Sequence, residues 1–332
     1  IRSILKLRSP AGEIFNDMPN GPFNSGLENL DTSAVTDMSF MFANDPSLKS
    51  LDLSGFDTHN VTGLFGTFVN DAALESLIVT GPNWDTSKVT TMYNTFYKLK
   101  SLKELDLSGW QTQNVTSFTM MFKGDSSLTQ LNVASFNTES ATDLSGMFDG
   151  VSAVQSLDVS GFRTDKVTNM QYLFNDVQQV QQLDLSKWDT SQVATMFGMF
   201  LNMANLSDLD LSDSFNTQNV TNMGAMFAGD KSLKALDLSH FDTTKVTTMD
   251  NLLTGTSSLT AIDVSHFDTS HTNSMASMFA SMSNLTSLDL SHFDTSQVTS
   301  MTNMFSGMAN LTTLDLSRFD TSRVTDMSSM FN

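Results

Sequence analysis

The sequence predicts a repeat solenoid, with one short parallel β-strand per coil plus a short helical turn or second short strand. Two observations predict it. The first is a unit of 26 residues, in which Leu288 to Thr299 (Leu-Asp-Leu-Ser-His-Phe-Asp-Thr-Ser-Gln-Val-Thr) returns at Leu314 to Thr325. Anchored on the Asp of Leu-Asp-Leu-Ser, copies begin at 52, 78, 106, 132, 158, 184, 210, 237, 263, 289 and 315. A fixed period of this size marks coils that stack, each touching only its neighbours. The second is that apolar residues keep fixed columns. In the tenth copy they are Leu285, Leu288, Leu290, Phe293, Val298, Met301, Met304 and Phe305, more than one coil can bury alone.

Residues 1–29 break the pattern with Pro10, Pro22 and several glycines, and are read as an N-terminal cap over the first coil. Residues 30–332 form the solenoid of about eleven to twelve repeats, broken off inside a repeat at the C-terminal end. Within a coil, Leu288, Asp289, Leu290 and Ser291 alternate as a short strand with its leucines inward. Asp294-Thr-Ser-Gln is turn chemistry, short polar side chains that bond their own backbone. Val-Thr-x-Met reads as a brief strand or bend. The spacing of Val298, Met301, Met304 and Phe305 then predicts a helical turn around Met-Phe.

Charge narrows the partners. With 36 acidic against 17 basic residues the net charge is −19, which repels phosphate backbones and anionic membranes. Nucleic acid is therefore a poor partner. No run of about 18 apolar residues exists, so membrane insertion is not expected. The absence of cysteine removes disulfides, thiolate metal sites and cysteine nucleophiles. The chain opens at Ile1 and stops at Asn332 within a repeat, and is read as part of a longer protein.

Position decides what the abundant residues do. Of 22 methionines, 17 fall in the two inward columns, such as Met38, Met92, Met223 and Met301, or Met41, Met121, Met226 and Met304. They read as core, not as an adaptable binding surface. Of 25 phenylalanines, 19 occupy the Phe-Asp-Thr or Met-Phe positions, and Trp84, Trp110 and Trp188 replace the former, so these aromatics also read as core rungs. The Thr of Phe-Asp-Thr, from Thr58 and Thr86 to Thr321, reads as a hydroxyl closing the same turn on every coil.

An acidic column carries the candidate contact face: Asp52, Asp106, Asp158, Asp184, Asp210, Asp237, Asp263, Asp289 and Asp315, with Ser239, Ser265 and Ser291 beside it. Ile78 and Asn132 interrupt it. Outward carboxylates about 4.8 Å apart would repel, raising the pKa of some members and making the face cohesive in acid. The alternative is that each Asp accepts a bond from the adjoining coil. Calcium needs more converging oxygens than Asp-x-Ser supplies. His240, His266 and His292 stand in register beside Lys187 and Arg318 and are pH-sensitive candidates, not metal ligands. No glycine-rich phosphate loop, His-Glu-x-x-His or serine elbow is present, and every prominent acid belongs to a repeated column. Neither an enzyme nor a cofactor is expected.

The unit Leu-x-x-Leu-Asp-Leu-Ser-x-Phe-Asp-Thr-Ser-x-Val-Thr-x-Met-x-x-Met-Phe resembles the BspA-like leucine-rich repeats of bacterial surface proteins, found in Firmicutes and in mycoplasma surface lipoproteins. The resemblance covers roughly residues 30–332 and is closest at 237–253, 289–305 and 315–331. Members often carry Cys three residues after the Met-Phe phenylalanine. Here that column reads Asp45, Asp71, Asp125, Met203, Asp230, Met282 and Met308. The resemblance implies a leucine-rich-repeat-like fold and an extracellular, cell-wall-attached location, with signal peptide and anchor outside this stretch. It implies binding to a host or matrix protein or glycan, or to the same protein on a neighbouring cell. A stalk presenting another domain and acid-promoted aggregation between cells are the alternatives.

Overall fold

Inward leucines from successive coils lie side by side in parallel pairs. The computed structural model describes residues 27–211 and 214–332, so the cap predicted at residues 1–29 lies almost wholly outside the described residues. A 3-10 turn at Leu27–Asn29 is the one helical element among those described. The chain divides after Lys166 into two compact units.

In the unit ending at Lys166, β1 (Ser50–Asp52) pairs in parallel with β2 (Ser76–Ile78), setting Leu51 beside Leu77. Likewise β3 (Glu104–Leu105) pairs with β4 (Gln130–Leu131), setting Leu105 beside Leu131. In the unit beginning at Val167, β5 (Gln182–Asp184) pairs with β6 (Asp208–Asp210), and Ser287 pairs with Thr313 further on. These strands are two or three residues long because Asp-x-Ser turns the chain immediately afterwards. The expected strand is therefore present in short form in these coils, while those at Asp158, Asp237 and Asp263 carry no strand at this position.

A second ladder runs through Val-Thr-x-Met, one residue wide. It links Asp37, Gly63, Thr91, Ser117 and Asp143 in the first unit, and Asn169, Thr195, Asn222, Thr248, Ser274, Ser300 and Asp326 in the second. The helical turn expected around Met-Phe is not formed. Phe40, Gly66, Asn94, Met120 and Gly146 hold φ between 53° and 59°, and Asn44, Asn70 and Lys98 hold φ between 63° and 65°. Left-handed residues at these intervals cannot continue a right-handed helix.

What replaces the helix is a regular division of the backbone. The N–H groups of Met38, Phe40, Phe42 and Asn44 bond the carbonyls of Gly63, Phe65, Thr67 and Val69 in the next coil, at 2.8 to 3.0 Å. Those of Met41 and Ala43 turn back to Met38 and Phe40. Alternate positions thus join coils, and those between them close turns. The second unit repeats this at Met275, Ser277, Phe279 and Ser281, bonded to Ser300, Thr302, Met304 and Ser306. Left-handed backbone costs a non-glycine residue about 1–2 kcal/mol. The bonds between coils and the apolar burial they enforce offset it.

The Met-Phe rings form internal spines. Phe42, Phe68, Phe96, Phe122 and Phe148 stack within 9° of parallel, at 5.5 to 5.8 Å. In the second unit Phe174, Phe200 and Phe227 stack at 5.9 and 5.4 Å. Trp84 packs against Trp110, whose indole N–H donates to the Val79 carbonyl at 3.0 Å. Met38, Met92, Met121, Met223 and Met301 are buried, as their columns predict.

The threonines of Phe-Asp-Thr from Thr58 to Thr295 are buried too, but with a wider role than closing their own turn. Thr86 Oγ1 donates to the Gln111 carbonyl at 3.0 Å and accepts the Gln111 N–H at 2.7 Å, so it fastens its coil to the next. Thr112 and Asn137 repeat the arrangement, as do Thr190 and Asn216 in the second unit.

Candidate binding face

Alternation along each strand buries the leucines and leaves the aspartate between them outside. Asp106, Asp158, Asp184, Asp210, Asp237, Asp263, Asp289 and Asp315 are exposed, and Asp52 is half-buried. Ser239, Ser265 and Ser291 are exposed beside them. Ladder register sets Asp184 directly beside Asp210.

Eight of these aspartates are held by their own coil. Asp52 Oδ1 accepts the Ser54 N–H, and Asp106, Asp158 and Asp184 accept those of Ser108, Ser160 and Ser186, at 2.8 to 3.1 Å. Asp237, Asp263, Asp289 and Asp315 accept those of Ser239, Ser265, Ser291 and Ser317 at 2.9 Å. A carboxylate bonded two residues ahead is a local turn. The N–H that each of these eight accepts comes from its own coil, not from the adjoining coil as weighed from sequence.

The pKa direction follows from this. Backbone and side-chain hydrogen bonds from serine hold Asp237, Asp263, Asp289 and Asp315 below the ordinary 3.8, and serine does the same for Asp184. The neighbouring carboxylate pushes upward on Asp289 and Asp315, but more weakly than the serines pull down. For these five the expectation of raised values is corrected: a carboxylate stabilised by N–H donors stays charged.

The interruptions are informative. Asn132 Oδ1 accepts the Ala134 N–H at 3.1 Å, so an amide keeps the turn without the charge. Ile78 instead presents an apolar side chain, 42% exposed. In the second unit the row is uninterrupted from Asp184 to Asp315, and Asp208 adds another exposed carboxylate.

His240, His266 and His292 are exposed beside the row. His266 Nε2 lies 2.7 Å from the Leu238 carbonyl and its ring meets Phe267 edge-on. Among the described residues no group of three or more His, Cys, Asp or Glu is placed to hold a metal ion.

The turn read at Asp294-Thr-Ser-Gln is formed, since Asp85, Asp189, Asp268 and Asp294 accept N–H groups two residues ahead. One feature went unassigned by the sequence reading, and it is internal. Asp71, Asp125 and Asp230 are fully buried in a column that also holds Leu99, Val151, Val177 and Met203, with Asp45 and Thr256. Its signal was a carboxylate in a position that most coils fill with an apolar residue.

The family model described as "Mycoplasma protein of unknown function, DUF285" matches residues 12–131, 73–183, 127–235, 181–271, 204–291 and 255–332. No curated protein matches this chain. Among solved structures, a leucine-rich repeat protein from Eubacterium ventriosum is similar at 17% identity over 95% of this chain and 87% of that one, with TM-score 0.41. A leucine-rich repeat protein of Leptospira interrogans is similar at 14% identity over 94% and 88%, with TM-score 0.29. One from Bacteroides ovatus is similar at 15% over 81% and 85%, with TM-score 0.24. The fold assignment rests on the coils themselves.

Proposed function

The chain belongs to the DUF285 family, with BspA-like leucine-rich repeats, and we propose that it is an extracellular bacterial surface module for adhesion. Its contact face is the aspartate row, and its partners are host or matrix proteins or glycans, or surfaces of neighbouring cells. The observation that carries this reading is the outward carboxylate that recurs from coil to coil, uninterrupted from Asp184 to Asp315, and is fixed by serine as at Asp237, Asp263 and Asp289.

Three physical points support it. A side chain already ordered by a local turn loses little further freedom on contact, which lowers the entropic cost of binding. Identical weak contacts in register add through multivalency. The acidic field repels nucleic acid and anionic membranes while attracting basic protein surfaces. Within the described residues no helix is long and apolar enough to cross a membrane.

The second reading, a stalk that presents another domain, is favoured by the threonine bridges, since hydroxyls bonded both ways between coils stiffen a stack. Binding separates the two. The purified chain is tested against mucin, collagen, fibronectin and whole cells from about pH 4 to about pH 7, alongside the Asp237→Asn, Asp263→Asn, Asp289→Asn variant. Adhesion by the parent that weakens in the variant, with unchanged unfolding, supports the contact face. Inertness of both towards every surface leaves the stalk.

A further inference from the structure

Inside the coils lies a set of acids that the outer face does not use. Asp71, Asp125 and Asp230 are each 0% exposed. In every case Oδ1 reaches into the preceding coil, accepting the N–H of Asp45 at 2.7 Å, of Leu99 at 2.8 Å and of Met203 at 2.9 Å. In every case Oδ2 is buried without a hydrogen-bond partner. Leu99, Val151, Val177, Met203 and Met282 fill the same position with no exposed surface, and its other buried polar occupants are Asp45 and Thr256.

We propose that these three aspartates are a protonation-controlled latch, closing each joint as neutral acids and loosening it when ionised. The stack is then firmest in mild acid and yields as the medium turns neutral to alkaline. A single N–H is weak compensation for a carboxylate taken out of water, whereas a neutral acid keeps that N–H bond without an isolated charge.

The charges facing the latch do not rescue the ionised form. Asp71 is faced by Asp45, itself an acid, held by the Ser47 N–H and Oγ. Asp125 is faced by the backbone N–H groups of Lys98 and Leu99, and Asp230 by that of Met203. Asp149 shows the contrast, a buried acid that keeps a cation, Lys123 Nζ, at 2.6 Å. Burial accordingly pushes Asp71 up to about 8, and Asp125 and Asp230 well above the ordinary range. The unfolded carboxyl releases its proton near 3.8, so between 3.8 and about 8 the folded chain holds protons that the unfolded chain has lost. Stability therefore falls as pH rises through that window.

The test is thermal unfolding from about pH 5 to about pH 9, on the parent chain, on Asp71→Asn, Asp125→Asn, Asp230→Asn combined, and on Glu104→Gln as an exposed control. Asparagine keeps the Oδ1 acceptor and cannot ionise. The parent and the control should lose several degrees of midpoint across the range, while the triple variant stays level. A parent midpoint that is level or rises with pH, or a triple variant with the parent's slope, overturns the latch. Should the triple variant fail to fold, the single Asp125→Asn and Asp230→Asn variants are read alongside infrared spectra of the parent at about pH 6. Protonated-carboxyl absorption that diminishes in each variant supports the latch, and its absence from the parent refutes it.

Discussion

Thr58 Oγ1 donates to the Asp85 carbonyl at 2.9 Å and accepts the Asp85 N–H at 2.6 Å, two bonds from one hydroxyl to the following coil. Replacing Thr58 by Val keeps the shape and removes both. A buried donor and a buried acceptor left without partners cost about 1–3 kcal/mol each. Thr58→Ser loses only a methyl group, about 0.8 kcal/mol. Chemical denaturation should therefore rank parent, serine variant and valine variant in that order. A valine variant as stable as the serine variant would show that the bridge contributes nothing.

A ring determines the residue at Gly66. This position holds φ of 58°, and a Cβ there would approach the Phe40 ring to 2.6 Å. Gly66→Ala adds a steric clash to left-handed strain, which alone costs about 1–2 kcal/mol. Phe40→Ala in the same chain should relieve the clash and leave the strain. The double variant is then less destabilised than the sum of the two single ones, as measured in a double-mutant cycle by denaturation. Simple additivity contradicts the contact.

The serine-held aspartates set the behaviour in strong acid. The folded pKa values of Asp184, Asp237, Asp263, Asp289 and Asp315 lie below the ordinary 3.8. Groups so lowered contribute stability above that value and lose it as pH falls through the folded values. Unfolding midpoints should fall below about pH 4, and replacing several of these aspartates by asparagine should flatten that fall. With the buried latch acting in the opposite direction above it, maximum stability lies in mild acid. A midpoint that keeps rising towards about pH 2 contradicts the serine bonds.

Much of this architecture is legible in the letters because period and burial agree. Met38, Met92 and Met223 could be placed inside from their column alone, and they are buried. The Met-Phe turns were not legible. A spacing of three, six and seven suits a helix, and Phe40, Met120 and Lys98 carry no sequence mark of a left-handed backbone. The outward direction of Asp289 followed from alternation, but its partner did not. Asp-x-Ser is compatible with a bond to either coil, and only geometry shows that Ser291 of the same coil donates. The sign of the charge effect turned on that detail. The latch acids stood in plain view as exceptions in a mostly apolar column, yet a column position does not reveal that Asp125 Oδ2 lacks a partner.

Graded removal of charge from the row tests the account most directly. Asp237, Asp263 and Asp289 are converted to asparagine one, two and three at a time, a change that Asn132 already accommodates in this chain, and attachment to an adhering surface is measured for each. The account predicts stepwise weakening with each carboxylate removed, at unchanged thermal stability near neutral pH. Attachment indifferent to all three replacements, or lost entirely with a single one, contradicts a face built from repeated equivalent contacts.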